Sequence, residues 1–454
     1  MQTLLLGLML LPVIAGILAL FVGRQVVWVR RYAGLAITAI AFVCALGLLF
    51  FAEQDVAVPV AWLPGADAWS LHVGGMGLVA LVVTVGTALV TRIVVLAGGK
   101  HCSPGTDAIF LIALGSSGLA FLTGHFLARY LALEIVALCV AAACLVQLRS
   151  DGGPRAGAYV YLILRIGDAG LLAAILLLLR AGNTLDVSAA LQAGMGLSGM
   201  PLVWIVGALA LAVWVKVGAW PFYGWQRLGM TRLPLAGAWM YGILMPQLGL
   251  YLLYRVTPLV SGGGGMLLLV LALASGAVAA LLWSRADRGP SSSLIYGGAI
   301  LGSLGLAVAG LGFVAGVSIL LIVGALLRLG VMLWRMIPVS TPAAVSLAGA
   351  NERTAPALGT MEALRGVMRG SLLMQDVGEA GSTTGGDAVA GGEADLPVRV
   401  EEVVVEDLLH GAGRAVVALS RVIQRIQTGN LRLGSLWLAL SLVVVVLLAL
   451  RGAW

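Results

Sequence analysis

The sequence predicts an all-α polytopic membrane protein of twelve transmembrane helices, and three observations carry that expectation. Of its 454 residues, 61% are hydrophobic and 10% are charged, with a mean hydropathy of +1.05. Such a chain has too little polar surface to cover a water-soluble fold. Apolar stretches recur at about 18–23 residues, the length that crosses the hydrocarbon core as a helix. Between them, basic loops alternate with acidic ones.

In chain order the apolar stretches run 3–21, 32–51, 75–96, 108–123, 126–148, 158–179, 202–220, 236–254, 265–283, 293–311, 314–334 and 433–450. The first has no positive start and no small-residue cleavage site before Arg24, so it is expected to be an uncleaved span. Loops after spans 1, 3, 5, 7 and 9 carry Arg24, Arg30, Arg31, Arg92, Lys100, Arg149, Arg155, Arg227, Arg232, Arg285 and Arg288. The opposite loops carry Glu53, Asp55, Asp67 and Asp186, with Arg180 and Arg255 near the membrane. The positive-inside rule then places the first set in the cytoplasm and both termini outside, in a bacterial-type inner (cytoplasmic) membrane. Orientation, and not a nucleic-acid partner, accounts for the net charge of +7. The Gly-rich 261–265 is expected to be a flexible outside loop.

After span 11 the composition changes. Residues 341–401 read as a cytoplasmic linker, disordered over the Gly-, Ser- and acid-rich 371–395. Over 402–428, Leu409, Ala412, Val416, Leu419, Ile423 and Ile426 recur at steps of three and four, with Arg414, Arg421 and Arg425 on another face. That pattern predicts an amphipathic helix lying along the membrane surface, ended by Gly429 before the last span.

No chemistry of catalysis is spelled out. The four cysteines lie in or beside apolar runs, and the four histidines are scattered at 72, 101, 125 and 410, so neither set has metal-ligand spacing. With no phosphate loop or catalytic triad either, no cofactor and no metal is expected.

The informative residues are charges inside the membrane. Only two of the 27 lysines and arginines are lysine, and one, Lys216, lies within the apolar run of span 7. An ammonium can give up its proton where a guanidinium effectively cannot, and an ionisable group within a membrane is a candidate functional site. The alternative is a lysine that snorkels to the interface near a helix end. Two acids fall inside the spans, Glu134 in span 5 and Asp168 in span 6. Asp168 follows Arg165 by three residues, so that pair shares a helix face and can neutralise itself. Glu134 then needs an opposite charge, and Lys216 is the obvious one. A Glu134–Lys216 pair of variable separation would make a proton relay, whereas a fixed network of the four charges would serve packing alone.

These residues carry a resemblance. Leu133, Glu134, Leu138 and Cys139 match a Trp-Glu-x-x-x-Leu-Cys pattern, with Leu in place of Trp. Arg165, Gly167 and Asp168 match Asn-Arg-x-Gly-Asp, and GNTLDV follows at 182–187. Lys216, Ala219, Pro221 and Trp225 match Lys-Ser-Ala-Gln-x-Pro-x-His-x-Trp, with Tyr223 in place of the histidine; Tyr241 replaces another histidine. In order and spacing the chain resembles the antiporter-like membrane subunits of respiratory complex I, especially subunit 5, and their relatives in cation/proton antiporters and membrane hydrogenases. The resemblance covers residues 1–340 and 400–454.

The resemblance implies two inverted five-helix repeats, each with a helix broken within the membrane. The chain would divide into N-terminal helices 1–107, a first repeat 108–254, a partial second repeat 255–340, the linker 341–401, the surface helix 402–428 and the final span 429–454. Lys216 would be the proton carrier next to the broken helix, modulated by Glu134, with Arg165 and Asp168 in the same relay. Pro221, Tyr223, Tyr241 and Arg328 would mark further relay positions or the helix break. Two features depart from the pattern: the second repeat stops after three spans, and Leu320, Gly324 and Arg328 stand where the family has two histidines and a lysine.

The function implied is a non-catalytic, proton-translocating subunit of a complex I-like (NADH:quinone oxidoreductase-like) energy-converting assembly, with other membrane subunits and the lipid bilayer as partners. Two alternatives stay open. One is a non-transporting scaffold of the same fold. The other is the membrane subunit of a two-component inorganic-carbon uptake system, whose Pro-Phe-His-Gly-Trp is resembled by Pro221–Trp225.

Overall fold

The computed structural model describes residues 2–22, 32–50, 54–58, 69–98, 102–148, 153–286 and 290–334. The chain divides into two units, Met1–Val339 and Ser340–Trp454. The linker, the amphipathic helix and the twelfth span expected at 341–454 lie outside the described residues.

Every span expected before residue 335 is a helix. The helices of the described residues, spans and short connecting helices together, are α1 (Gln2–Val22), α2 (Gly34–Leu49), α3 (Gly75–Ala97), α4 (Pro104–Leu122), α5 (Phe126–Gln147), α6 (Gly153–Gly182), α7 (Val187–Met195), α8 (Met200–Val217), α9 (Gly224–Arg232), α10 (Leu235–Trp239), α11 (Met245–Arg285), α12 (Pro290–Gly310) and α13 (Val314–Trp334). Among the described residues, ten segments are long and apolar enough to cross a membrane, and the 16-residue α2 is a shorter apolar helix. The chain is an integral membrane protein.

Two short helices and a hairpin escaped the sequence reading. The strands β1 (Gln54–Val58) and β2 (Trp69–Val73) pair antiparallel, with Gln54 opposite Val73. Single bridges join Leu71 to Thr123 and His125 to Asp186. The connections α2–α3, α4–α5 and α6–α7 therefore meet at one end of the bundle, as the alternation of loops requires. Two of these turns start helices by side-chain capping, which satisfies backbone N–H groups the first turn leaves unpaired. The Nδ1 of His125 accepts from Ala128 N at 3.4 Å to start α5, and Asp186 Oδ1 accepts from Ala189 N at 2.8 Å to start α7.

The most enclosed segments are α4 (78% buried) and Leu235–Gly262 (83%), while Leu4–Phe21 and Gly264–Arg285 are 28% buried. The first two therefore form the centre and the last two the rim. Glycine sets how closely the helices approach, since lipid offers no hydrophobic drive between them. A methyl group on Gly115 of α4 would stand 2.5 Å from Met9 O of α1.

The Gly-rich 261–265 is a tight break between the spans Leu235–Gly262 and Gly264–Arg285 and not a flexible loop. It lies within α11, which kinks at Gly264, and a side chain on Gly265 would stand 2.2 Å from Gly310 O of α12. These glycines let two helix backbones touch.

Candidate functional site

Helix α6 carries the site because it faces two neighbours at once. Arg165 and Asp168 stand three residues apart, near enough on the helix surface to be neighbours yet rotated so that each reaches a different helix. Arg165 Nη1 donates to Glu134 Oε1 on α5, and Lys216 Nζ on α8 donates to Asp168 Oδ1. This corrects the expected pairing on both counts: Arg165 and Asp168 do not pair with each other, and Glu134 is not the direct partner of Lys216. Spacing along α6 permitted the first pair, but the packing of three helices decided otherwise.

The two pairs differ in environment. The Lys216 and Asp168 side chains are 0% and 1% exposed, whereas Arg165 is 31% and Glu134 11% exposed. Arg165 also lies 4.7 Å from the centre of the Tyr161 ring, a cation–π contact. The pairs form one electrostatic unit, because Glu134 lies within the field of both Asp168 and Lys216. Each carboxylate keeps one oxygen, Glu134 Oε2 and Asp168 Oδ2, without a protein partner.

Small residues make this unit possible. A methyl on Gly167 would meet Val215 Cβ at 3.0 Å, and one on Gly170 would meet Ala208 O at 2.8 Å, so α6 and α8 approach backbone to backbone. From the other side, the place of a side chain on Gly249 of α11 lies 3.0 Å from Lys216 Cβ.

Directly after Lys216 the helix breaks. Gly218 takes the left-handed conformation (φ 67°) that ends α8, which only glycine adopts without strain, and the chain runs through Pro221 before α9 begins at Gly224. The Trp220–Pro221 peptide is cis. Indole and amide groups occupy the carbonyls that the break leaves open. Trp225 Nε1 donates to Val215 O at 3.0 Å, Gln226 Nε2 to Val217 O at 3.2 Å, and Trp214 Nε1 to Trp220 O at 2.8 Å.

The remaining sequence candidates lie apart from the four charges. Tyr223 packs on Tyr296 of α12, with ring centres 5.8 Å apart. Tyr241 lies in a π-helical turn, Met240–Leu244, fully buried, and its hydroxyl donates to Val140 O at 2.7 Å beside Cys144 Sγ at 3.0 Å. Arg328 of α13 is buried, with Nη2 on Gly298 O at 3.1 Å.

A third buried ion pair was missed. Arg92 of α3 donates to Asp107 in the first turn of α4 and lies 4.0 Å above the Phe110 ring. Asp107 stands one residue before the stretch expected as span 4, which places it outside the membrane on sequence alone. The Ser103-Pro104 start of a helix, with Ser103 Oγ accepting from Thr106 N at 3.2 Å, was the legible signal. Among the described residues, no group of His, Cys, Asp and Glu is placed to hold a metal ion.

Residues 123–286, which hold both ion pairs and the break, match the family model described as NADH:quinone oxidoreductase/Mrp antiporter, TM. That stretch, about a third of the chain, is similar to this antiporter-like membrane family. The fold of the chain is shared with solved structures of that kind. It resembles a chain of the Mrp complex from Dietzia sp. DQ12-45-1b, with TM-score 0.65 and 20% identity over 73% of this chain and 37% of that one. A chain of the archaeal membrane-bound sulfane sulfur reductase, a respiratory membrane complex, gives TM-score 0.63 and 16% identity over 73% and 70%. A chain of respiratory complex I from Thermus thermophilus gives 0.59 and 21% over 73% and 70%. At such identities the likeness is one of fold, and the antiporter-like chain spans 37% of the Mrp chain's length. No curated protein matches the sequence.

Proposed function

We propose that this chain is a proton-translocating, antiporter-like subunit of a complex I-like or Mrp-like membrane assembly, and that Glu134, Arg165, Asp168 and Lys216 form its relay. The observation that carries the reading is the placement of a buried lysine–aspartate pair in the last turn of a helix that breaks immediately after it.

Arg165 is the moving part of the proposed relay. It is held by Glu134, yet Asp168 is its neighbour on α6. When Arg165 leaves Glu134 for Asp168, the aspartate no longer stabilises an ammonium, and Lys216 gives its proton to water that reaches it at the break. When Arg165 returns, Asp168 is free again and Lys216 takes a proton back. Arginine suits this role because it stays charged throughout, and lysine suits the carrier because it does not have to. Glu134 acts on Lys216 through Arg165 and Asp168, not by direct contact.

The proton path continues in neighbouring membrane subunits, because the expected second half-channel has Arg328 in place of a lysine. The expected setting is a bacterial-type inner membrane with the arginine-rich loops in the cytoplasm. A non-transporting scaffold is the second reading, favoured by Tyr241, whose hydroxyl ties a π-turn to α5 as a packing group would.

Gentle detergent extraction of the tagged protein from its own membranes, with identification of co-purifying chains, tests the assignment. Redox or antiporter-like membrane subunits support it. A single large soluble partner protein, the second component of such a system, supports the inorganic-carbon reading instead, and recovery of the chain alone supports the scaffold.

A further inference from the structure

Arg328 is a buried cation that makes no ion pair among the described residues. Its side chain is 3% exposed; Nη2 reaches Gly298 O, and Nη1 has no protein partner. Asp107, Glu134 and Asp168 are engaged in their own ion pairs, and Asp186 caps α7. Across Gly298 stands Gln226 of α9, 1% exposed, with Nε2 on Val217 O and Oε1 without a protein partner. The point that a side chain on Gly298 would occupy lies 3.7 Å from Arg328 Nε and 3.9 Å from Gln226 Oε1. The Arg328 guanidinium, through its Nε and Nη2 edge, and the orphaned Gln226 Oε1 therefore face one small polar space that a residue without a side chain leaves open. Buried polar groups are almost always satisfied, and ordered water does so where protein does not.

We infer that a water held at Gly298 bridges the Gln226 carbonyl oxygen to the Arg328 guanidinium, and that the bridge makes Arg328 a positioning residue for Lys216. Val217, the residue after Lys216, ends α8, so its carbonyl has no next turn to bond. The Gln226 amide supplies that bond. Gly302, one turn beyond Gly298 on the same face of α12, lies 3.1 Å from the same carbonyl by the place its side chain would take. The last turn of α8 is thus held from α9 and α12. The hold depends on Gln226 keeping its N–H toward Val217, since a flipped amide would set two carbonyl oxygens against each other. A guanidinium donates in every protonation state of its surroundings, so through the water it fixes the amide whether or not Lys216 carries its proton.

The consequence for transport rests on Lys216 being the proton carrier; the bridge itself does not, and the test separates the two. The full-length chain in lipid nanodiscs is melted as wild type, Gln226→Glu, Arg328→Gln and the double variant. Gln226→Glu gives up the amide bond to Val217 O but, with the bridge, sets a carboxylate against the guanidinium, so its effect on Tm is more favourable by about 2–4 °C in the wild type than in the Arg328→Gln background. In the Arg328→Gln background the same change lowers Tm, because the carboxylate is then buried alone. Gly298→Ala fills the water's place and lowers Tm in the wild type but not in Arg328→Gln. Equal shifts from Gln226→Glu with and without Arg328 overturn the bridge.

For positioning, the pH profile of proton translocation is measured in the native complex. Arg328→Gln shifts its midpoint, and Arg328→Lys, which keeps a charged donor, restores it. An unmoved midpoint in Arg328→Gln overturns the positioning role. If Lys216→Arg transports normally, the carrier reading fails whatever the melting cycle shows.

Discussion

Lys216 of α8 donates its Nζ hydrogen bond to Asp168 of α6, and both side chains are sealed from solvent at 0% and 1% exposure. A buried ion pair gains little over an apolar pair of the same shape, but removing one partner strands a charge, at a cost of about 3–5 kcal/mol. A stability contribution alone does not explain a lysine here in a chain with only two.

That asymmetry sets the first expectation. Lys216→Met and Asp168→Leu each lower stability by about 3–5 kcal/mol, and the double variant recovers most of the loss. Thermal unfolding of the four proteins in nanodiscs reads the coupling. Additive losses would mean that the two residues do not meet.

The Arg165–Glu134 pair is a contrasting case. Arg165 is 31% exposed, so its freed charge can be hydrated, and Glu134→Gln is expected to cost about 1 kcal/mol or less. Proton translocation by the native complex should nevertheless fall strongly, because Arg165 then has no reason to leave Asp168. Loss of stability without loss of translocation would assign Glu134 to packing.

Tyr241 separates packing from relay. Tyr241→Phe removes one buried hydrogen bond, to Val140 O, worth about 1 kcal/mol. Translocation is expected to persist, since the hydroxyl touches α5 and not the four charges. Its loss in a stably folded variant would restore Tyr241 to the relay.

How much of this was legible in the sequence follows from which interactions are local. Span positions depend on runs of apolar residues, so every helix expected before residue 335 is present. The break after Lys216 was implied by the resemblance, and Gly218 provides its physical cause. The partners of the charges were not legible. Arg165 and Asp168 share a helix face on paper, but the choice between a partner on the same helix and one across the bundle is made by packing. Gly167 and Gly170 bring α8 close enough for Lys216 to claim Asp168. The same limit hid Arg92–Asp107, whose members lie on different helices. The hairpin was written faintly in the alternation Trp-Ser-Leu-His-Val at 69–73, overshadowed by longer apolar runs.

Cys102, in the connection before α4, tests the environment of the Arg92–Asp107 pair. Burial pushes its thiol above the ordinary range, and Arg92 opposes this only in part. The thiolate is the reactive form, so at pH 7–8 maleimide should label Cys102 more slowly than an exposed cysteine, with the rate rising at higher pH than usual. Removing the opposing charge by Arg92→Gln should slow it further. Labelling as fast as a free thiol would contradict the packing around this pair.

The central claim is that Lys216 moves a proton and does not merely balance Asp168. Its most direct test is proton translocation by the native complex carrying Lys216→Arg, measured with a pH-sensitive dye in sealed vesicles. Arginine preserves the positive charge against Asp168 but cannot release its proton. The expected result is an assembled, stable complex with translocation reduced close to background. Translocation at the wild-type rate would contradict the account and leave the buried pair as a packing element.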